Sequence, residues 1–366
     1  ARIDVAAARP LAEIPRSSDY QVIGDELVAG YVQRAASLVS AGTPRALNWV
    51  YTAMHGVGGA IVDQVVAATG FGRPHQVAEQ QQPDPDFPTV AFPNPEEPGA
   101  IDLALALARD VDADIAIAND PDADRCAIAA PFADGWRMLS GDELGWLLAD
   151  DALRRGTAGV YACSVVSSTL LATMARAHGQ PFQTTLTGFK WIGRVPGLAF
   201  GYEEAIGYCT DAAAVPDKDG ITTLVRVLGL AAQLKADGSS VAERLDQIAT
   251  GYGVHLTSQL AFRVSDLSLI TEAMARVRTT PPAELAGEPV SATDLGLGSP
   301  ELPPTDGMLF AGERVRVVVR PSGTEPKLKC YLQVKLPPGG ELAADRATAS
   351  ALMAQARDEM ARALGL

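Results

Sequence analysis

The order of short apolar runs and longer amphipathic segments along the chain predicts a mixed α/β protein. Short apolar runs are typical of buried strands, and apolar residues at helical spacing indicate helices that pack on them. The predicted strands are residues 47–52, 113–118, 126–131, 160–166, 183–186 and 198–201. The predicted helices are residues 19–41, 60–69, 99–109, 140–155, 169–178, 219–236 and 240–250.

The succession of strand, turn, helix and glycine occurs twice, which predicts two related domains in tandem. After the helix, the first copy continues with Arg-Pro-His-Gln at 73–76, and the second continues with Gln-Pro-Phe-Gln at 180–183. A repeated order of this kind is expected when one supersecondary unit has been duplicated. We therefore expect two related mixed α/β domains.

Beyond Gly251 the pattern changes to alternating strands and flanking helices, which predicts a smaller α+β domain. The strands are predicted at 254–264 and within 313–336, and the helices at 266–277 and 345–364. The predicted division is a lead-in segment at 1–18, α/β domains at 19–138 and 139–251, and an α+β domain at 252–366.

Local signals place several boundaries. Gly70 and Gly179 are predicted to end helices, since glycine adopts the left-handed conformation that follows a helix. Ser140 and Glu143 form a predicted capping box. Six prolines lie in residues 82–98, which predicts a long loop, and loops of that length are often functional.

The overall charge narrows the possible partners. Acidic residues number 44 and basic residues 30, so the net charge is −14, which disfavours an extended nucleic-acid or membrane surface. We find no apolar run of the roughly 18 residues that span a bilayer, and no basic-then-apolar leader, so a cytoplasmic protein is expected. The widely spaced cysteines are expected to be buried thiols in a reducing compartment: Cys126, Cys163, Cys209 and Cys330.

A predicted buried strand leads into the sequence Asn-Asp-Pro-Asp-Ala-Asp-Arg at 119–125. Three carboxylates at alternate positions repel one another unless a cation lies between them, and a ligand set of oxygens alone favours magnesium, manganese or calcium over zinc. A calcium-binding EF-hand is excluded, because Arg125 and Pro131 stand where it needs Gly and Glu. An acidic surface turn and a phosphatase with Asp120 as nucleophile are the alternatives.

Three further motifs carry polar groups on turns. Residues 317–327 place Arg320, Ser322, Gly323 and Thr324 after an apolar strand, with lysines beyond, as in a phosphate-binding turn. Glu203 and Glu204 follow another strand and are suited to sugar hydroxyls or to proton transfer. Lys190 lies in Thr-Gly-Phe-Lys at 187–190, where an exposed salt bridge is the ordinary alternative.

The four motifs, in this order, resemble those of the α-D-phosphohexomutase family of phosphoglucomutases and phosphomannomutases. The sequence of residues 51–58 and the motif Glu-Glu-Ala-Ile-Gly at 203–207 resemble those of its phosphoglucomutase/phosphopentomutase-like branch. The family has three related α/β domains and a fourth that resembles the TATA-binding protein. The resemblance implies that this chain matches the second, third and fourth of these domains.

The resemblance also implies roles for individual residues. Mg²⁺ would be held by Asp120, Asp122 and Asp124; Arg125 and Lys190 would be catalytic; Thr187, Gly188, Glu203 and Glu204 would bind the sugar; and Arg320, Ser322, Gly323, Thr324 and Lys329 would bind phosphate. The chain departs from the pattern at Ala205 and Gly207, where many members have a serine and some a histidine.

The family's phosphorylated serine lies in a Ser-His-Asn-Pro loop, and none of the four histidines of this sequence is followed by Asn-Pro. The expected function is transfer of a phosphoryl group between O1 and O6 of glucose or mannose phosphate, with hexose 1,6-bisphosphate as intermediate and activator. This chain is expected to be inactive without the serine-bearing domain. A phosphopentomutase and a non-catalytic phosphosugar-binding protein are the alternatives, and either a monomer or a homodimer is expected.

Overall fold

The structure is a computed structural model that describes residues 2–264, 266–322 and 326–365. These residues fold into three units that follow one another along the chain. The first contains helices and a five-stranded sheet: α1 (Arg2–Ala7), α2 (Asp25–Ala36), β1 (Trp49–Thr52), α3 (Gly59–Thr69), β2 (His75–Gln76), α4 (Asp102–Asp110), β3 (Ile115–Asn119), β4 (Cys126–Phe132) and β5 (Gly135–Met138).

The sheet of the first unit has the order β2-β1-β3-β4-β5. Strands β2, β1 and β3 are parallel, and β4 and β5 are antiparallel to their neighbours. Strand β3 is buried over its whole length because helices cover both faces of the sheet. The β3–β4 connection therefore emerges from the core at the carboxyl end of β3.

The second unit follows directly: α5 (Gly141–Arg154), β6 (Val160–Ser164), α6 (Leu170–Ala177), β7 (Phe182–Thr185), α7 (Phe189–Ile192), β8 (Leu198–Glu203), β9 (Gly207–Cys209), α8 (Gly220–Ala236) and α9 (Val241–Tyr252). Its sheet has the order β7-β6-β8-β9, with β9 antiparallel to β8 and the other pairs parallel. This order repeats β2-β1-β3-β4 of the first unit, which confirms the predicted tandem repeat.

The third unit is built on antiparallel strands: β10 (Val254–Arg263), α10 (Leu267–Thr279), β11 (Glu284–Leu285), β12 (Glu288–Pro289), β13 (Ser291–Asp294), β14 (Met308–Ala311), β15 (Val315–Pro321), β16 (Lys327–Leu336) and α11 (Leu342–Leu364). The main sheet has the order β10-β16-β15-β14-β13. Helices α10 and α11 pack on one of its faces through an apolar core, as expected for an α+β unit.

The opposite face of the third sheet contacts the second unit. Val318 and Tyr331 pack against Val165 and Val166. On the same face, Gln333 accepts a hydrogen bond from the backbone N–H of Thr169 at 3.1 Å and donates one to its hydroxyl at 2.9 Å. The first two units are joined more extensively, because one apolar core runs through both.

Most predicted elements are confirmed, and the differences have local causes. The helix predicted at 19–41 begins only at Asp25, since Gly24 precedes it in extended conformation, and it ends at Ala36. The turn predicted at 187–191 contains the four-residue helix α7, which is too short to leave a periodic pattern. Strand β5 and strands β11 to β14 were not predicted, because they are short and several lie in Pro- and Gly-rich sequence.

Other expectations concern caps, cysteines and membranes. Ser140 and Glu143 form the predicted capping box, and Gly70 has the left-handed φ of 79°. All four cysteines are buried and free. Among the helices in the described residues, none combines the length and apolarity needed to cross a bilayer.

Candidate metal and phosphate site

The acidic loop between β3 and β4 gathers its three carboxylates at one point. Asp120 is buried, Asp124 is half-buried and Asp122 is exposed, and one oxygen of each lies within 4.8 Å of the others. Three carboxylate oxygens this close repel one another and form the donor set that a hard divalent cation prefers. The residues therefore fit Mg²⁺ and leave coordination positions for water or a phosphate oxygen.

The loop is held in shape by hydrogen bonds from its own backbone and from the core. The side-chain amide of Asn119 donates to the carbonyl of Arg125 at 2.6 Å, and the buried Tyr51 hydroxyl donates to Asn119 Oδ1 at 3.1 Å. The N–H of Arg125 donates to Asp120 Oδ1 at 3.0 Å. Ala123 has a φ of 58°, an unusual value for alanine, which these contacts maintain.

The glycine turn after β1 packs directly against the acidic loop. The N–H of Val57 donates to the carbonyl of Pro121 at 2.8 Å. A Cβ atom added to Gly56 would lie 2.4 Å from both Cα and the carbonyl oxygen of Pro121, so only glycine fits this position. The turn at 55–59 thus fixes the position of the backbone between Asp120 and Asp122.

The electrostatics of the loop indicate an excess of negative charge. Burial raises the pKa of Asp120 to about 6, the N–H of Arg125 opposes this, and the charges of Asp124 and Asp122 add to the rise. Arg125 Nε lies 3.6 Å from Asp120 and 3.8 Å from Asp124, yet makes no hydrogen bond within the described part of the chain. A single guanidinium at these distances does not neutralise three carboxylates, which supports a cation in the loop.

Lys218 also contacts the acidic loop, and the sequence analysis did not identify it. Its Nζ lies 2.8 Å from Asp124 Oδ2 and 5.8 Å from the centre of the Phe189 ring. The signal in the sequence was its position two residues before α8, next to the capping residue Asp219. In the structure, the N–H of Gly220 at the start of this helix donates to the carbonyl of Ala123 at 3.1 Å. A second cation therefore reaches the acidic loop from the second unit.

The predicted sugar-binding motifs of the second unit lie side by side. The N–H of Gly188 donates to Glu203 Oε1. Gly188 has a φ of 105°, which a residue with a Cβ rarely adopts. Burial and the neighbouring charge of Glu204 raise the pKa of Glu203, while the Gly188 N–H, Lys218 and Arg125 lower it. The charges of Lys218 and Arg125, which both lie beside the acidic loop, therefore act on Glu203 as well.

Glu204 and the residues around Gly188 have different surroundings. Glu204 Oε2 accepts hydrogen bonds from the hydroxyls of Ser164 at 3.1 Å and Ser167 at 2.9 Å, so the second unit itself orients this carboxylate. Thr187 is half-buried, and Lys190 is exposed on α7. The loop at 204–206 reaches the first unit, because the carbonyl of Ile206 accepts the N–H of Cys126 at 3.1 Å.

The predicted phosphate-binding motif of the third unit begins at the end of β15. Arg320 lies directly opposite Lys329 on β16, so both cations project from one face of the sheet. Ser322 is half-buried, and its N–H donates to the carbonyl of Lys327 at 2.8 Å. Like charges directly opposite one another destabilise a sheet unless an anion lies between them. Gly323 and Thr324 lie outside the described residues.

Electrostatic contacts connect this pair to the rest of the site. Burial raises the pKa of Tyr331, the charge of Glu204 adds to the rise, and Arg320 opposes it. Glu96 is exposed, and its carboxylate lies within range of the charges of Glu204, Arg125 and Lys329. Glu96, in the proline-rich loop, was not identified from sequence. Charged side chains of all three units lie near it, so these units border a common cleft.

A cavity of about 790 Å³ lies elsewhere. It is enclosed by the β4–β5 turn, α5, α9, β10 and α11, and none of the described site residues lines it. The candidate site is therefore separate from this cavity.

Family comparisons match successive parts of the chain. Residues 29–131 match "Phosphoglucomutase/phosphomannomutase, alpha/beta/alpha domain II", residues 140–252 match domain III of the same description, and residues 261–344 match its C-terminal domain. A "Probable phosphomannomutase" from Haemophilus influenzae is 45% identical, over 92% of this chain and 69% of the relative. A human "Phosphopentomutase" is 35% identical, over 80% of this chain and 54% of the relative.

Solved structures show the same fold at low identity. The phosphoglucomutase/phosphomannomutase family protein of Burkholderia thailandensis has a TM-score of 0.67 at 20% identity, over 92% of this chain and 64% of that one. Parafusin, a phosphoglucomutase from Paramecium, has a TM-score of 0.64 at 20% identity, over 93% and 62%. The chain thus spans about half to two thirds of the length of these proteins.

Proposed function

Because the chain belongs to the phosphoglucomutase/phosphomannomutase family, we propose that it forms the metal- and sugar-binding part of a phosphosugar mutase. The proposed reaction moves a phosphoryl group between O1 and O6 of glucose or mannose phosphate. The observation that carries the proposal is the acidic loop itself, where three carboxylate oxygens within 4.8 Å meet Arg125 and Lys218. Oxygen ligands and nearby cations are what phosphoryl transfer requires.

In this proposal Asp120, Asp122 and Asp124 hold Mg²⁺, which neutralises negative charge on the phosphoryl group that is transferred. Arg125 and Lys218 place cations beside the same group, and Lys190 adds a further cation from the exposed turn of α7. These side chains stabilise charge and position the substrate, which is the main work of catalysis in phosphoryl transfer.

Substrate binding is assigned to the second and third units. Thr187, Gly188, Glu203 and Glu204 bind the sugar hydroxyls, and the serine contacts of Glu204 support a fixed orientation. The phosphate that does not react is held by Arg320, Ser322, Gly323, Thr324 and Lys329. The opposed positions of Arg320 and Lys329 support this role, since an anion between them relieves their repulsion.

The proposed phosphoryl donor is a phosphoserine on the family's first domain. The bond between phosphorus and the serine oxygen breaks as the free sugar hydroxyl forms a new bond to phosphorus. The hydroxyl proton passes to a base in the cleft, and the released serine oxygen takes up a proton. The resulting hexose 1,6-bisphosphate turns over, and its other phosphate returns to the serine.

A pentose phosphate is the second candidate substrate, supported by the 35% identity to proteins named phosphopentomutase and phosphoribomutase. Full-length protein, shown by mass to be serine-phosphorylated, is assayed with glucose, mannose and ribose 1-phosphates and Mg²⁺. We expect turnover of at least one, and none by the 366-residue chain alone. No turnover of any of the three contradicts the mutase assignment, and turnover by the chain alone contradicts the donor assignment.

A further inference from the structure

A second cavity, of about 600 Å³, lies between the segment that follows α2, the last turn of α5 and the middle of α8. None of its lining residues belongs to the metal loop, the sugar-binding motifs or the Arg320–Lys329 pair, within the residues described. Its volume is in the range of pockets that hold small molecules. The cavity is therefore separate from the proposed mutase site.

Three arginines line this cavity: Arg154, Arg155 and Arg226. Asp151 is the acidic side chain among its lining residues, so the described lining carries two more positive than negative charges. The chain as a whole has a net charge of −14, so the positive charge here is a local feature. An excess of cations in a concave site attracts anions.

The hydrogen bonds of these arginines leave positive charge uncompensated. Arg155 Nε pairs with Asp151 at 2.8 Å. Arg154 Nε pairs with Asp150 at 2.9 Å, but Arg244 also binds that carboxylate through two hydrogen bonds of 2.8 and 2.6 Å. The cavity therefore has more guanidinium donors than nearby carboxylates accept.

Arg226 is the half-buried member of the three. Its Nη1 donates to the carbonyl of Leu38 at 2.6 Å, while its Nε is buried and has no hydrogen-bond partner among the described residues. Burial, followed by repulsion from Arg155, lowers the pKa of Arg226 to about 10. A half-buried guanidinium with no carboxylate partner among the described residues favours a bound anion that compensates its charge.

The hydroxyls on the opposite wall also suit an anion. Ser40 and Thr43 line the cavity, and their hydroxyl oxygens are 2.9 Å apart. Guanidinium groups bind phosphate through paired N–H donors, and hydroxyls supply further donors to the remaining oxygens. We propose that this cavity is a binding site for a phosphorylated small molecule, held by Arg154, Arg155 and Arg226.

The test measures binding of inorganic pyrophosphate by calorimetry in the presence of EDTA. All proteins carry Arg320→Gln, which weakens the cleft as a competing phosphate site. We expect pyrophosphate to bind this protein, and to bind about tenfold or more weakly when Arg226→Gln is added. Arg176→Gln, at an exposed arginine on α6, is the matched control and should leave the affinity unchanged.

A second variant blocks the cavity without removing charge. Gly229 lines it, and a Cβ added there meets Thr43 only at an ordinary 3.8 Å, so the side chain of Gly229→Met can extend into the open space. This change should also weaken pyrophosphate binding by about tenfold, with a melting curve that shows a folded protein. No binding to the Arg320→Gln protein, or equal affinities in the cavity variants and the control, overturns the proposal.

Discussion

Replacement of Gly56 by alanine tests whether the glycine turn positions the metal loop. The new Cβ would lie 2.4 Å from the Pro121 backbone, about 1 Å short of ordinary contact, so the loop or the turn must move by that amount. The movement also disturbs the hydrogen bond from Val57 to Pro121, which contributes about 1 kcal/mol. Asp120 and Asp122 flank Pro121 and must move with it.

Metal ligands tolerate errors of only about 0.2 Å, and loss of supporting contacts typically weakens metal binding by roughly 10- to 100-fold. We therefore expect Gly56→Ala to weaken Mn²⁺ binding by that factor, about 1.4 to 2.7 kcal/mol. The free Mn²⁺ signal in electron paramagnetic resonance measures the affinity. Gly72→Ala is the control, because a Cβ there meets no atom within 4 Å. Equal Mn²⁺ affinities in the two variants would refute the reasoning.

Three further predictions concern charge and packing. Burial raises the pKa of Asp142 from 3.8 to about 6, so the free energy of unfolding of the wild type falls as pH rises through this window. Asparagine carries no charge, so the stability of Asp142→Asn relative to the wild type should rise by about 3 kcal/mol over the same window. A difference between the two proteins in urea unfolding that does not change with pH contradicts this. Lys218→Met removes a cation that competes for Asp124, so Mn²⁺ should bind about tenfold more tightly by calorimetry, and weaker binding would be contrary. Gln333→Leu leaves the Thr169 N–H without its acceptor and should cost about 1–3 kcal/mol in denaturant, whereas an unchanged midpoint argues against this contact.

The fold could be predicted to a large extent because its signals are local. The capping box of Ser140 and Glu143 and the buried run of β3 depend on residues close in sequence. The predicted start of α2 was wrong for the opposite reason: Val22 belongs to an apolar stripe in the sequence but is exposed in the structure. Apolar residues are buried only where another element packs on them, and the sequence does not show directly which segments are packed in this way.

The same distinction between local and distant signals applies to the candidate site. The three aspartates occupy alternate positions on one loop, so their clustering could be predicted. Lys218 and Glu96 could not, because each reaches the cleft through packing of segments far apart in the chain. The serine contacts of Glu204 were missed as well, since Ser164 and Ser167 lie on a neighbouring strand and turn. The roles of Lys190 and of the turn after Arg320 stay predictions.

The most direct test of the central claim is an anomalous difference map from crystals of this chain soaked with Mn²⁺ and glucose 1,6-bisphosphate. The account predicts a manganese peak bound by Asp120, Asp122 and Asp124, and a phosphate of the same ligand beside Arg320 and Lys329. A manganese peak elsewhere, or a bisphosphate bound away from Arg320 and Lys329, would contradict the claim that these units form one phosphosugar site.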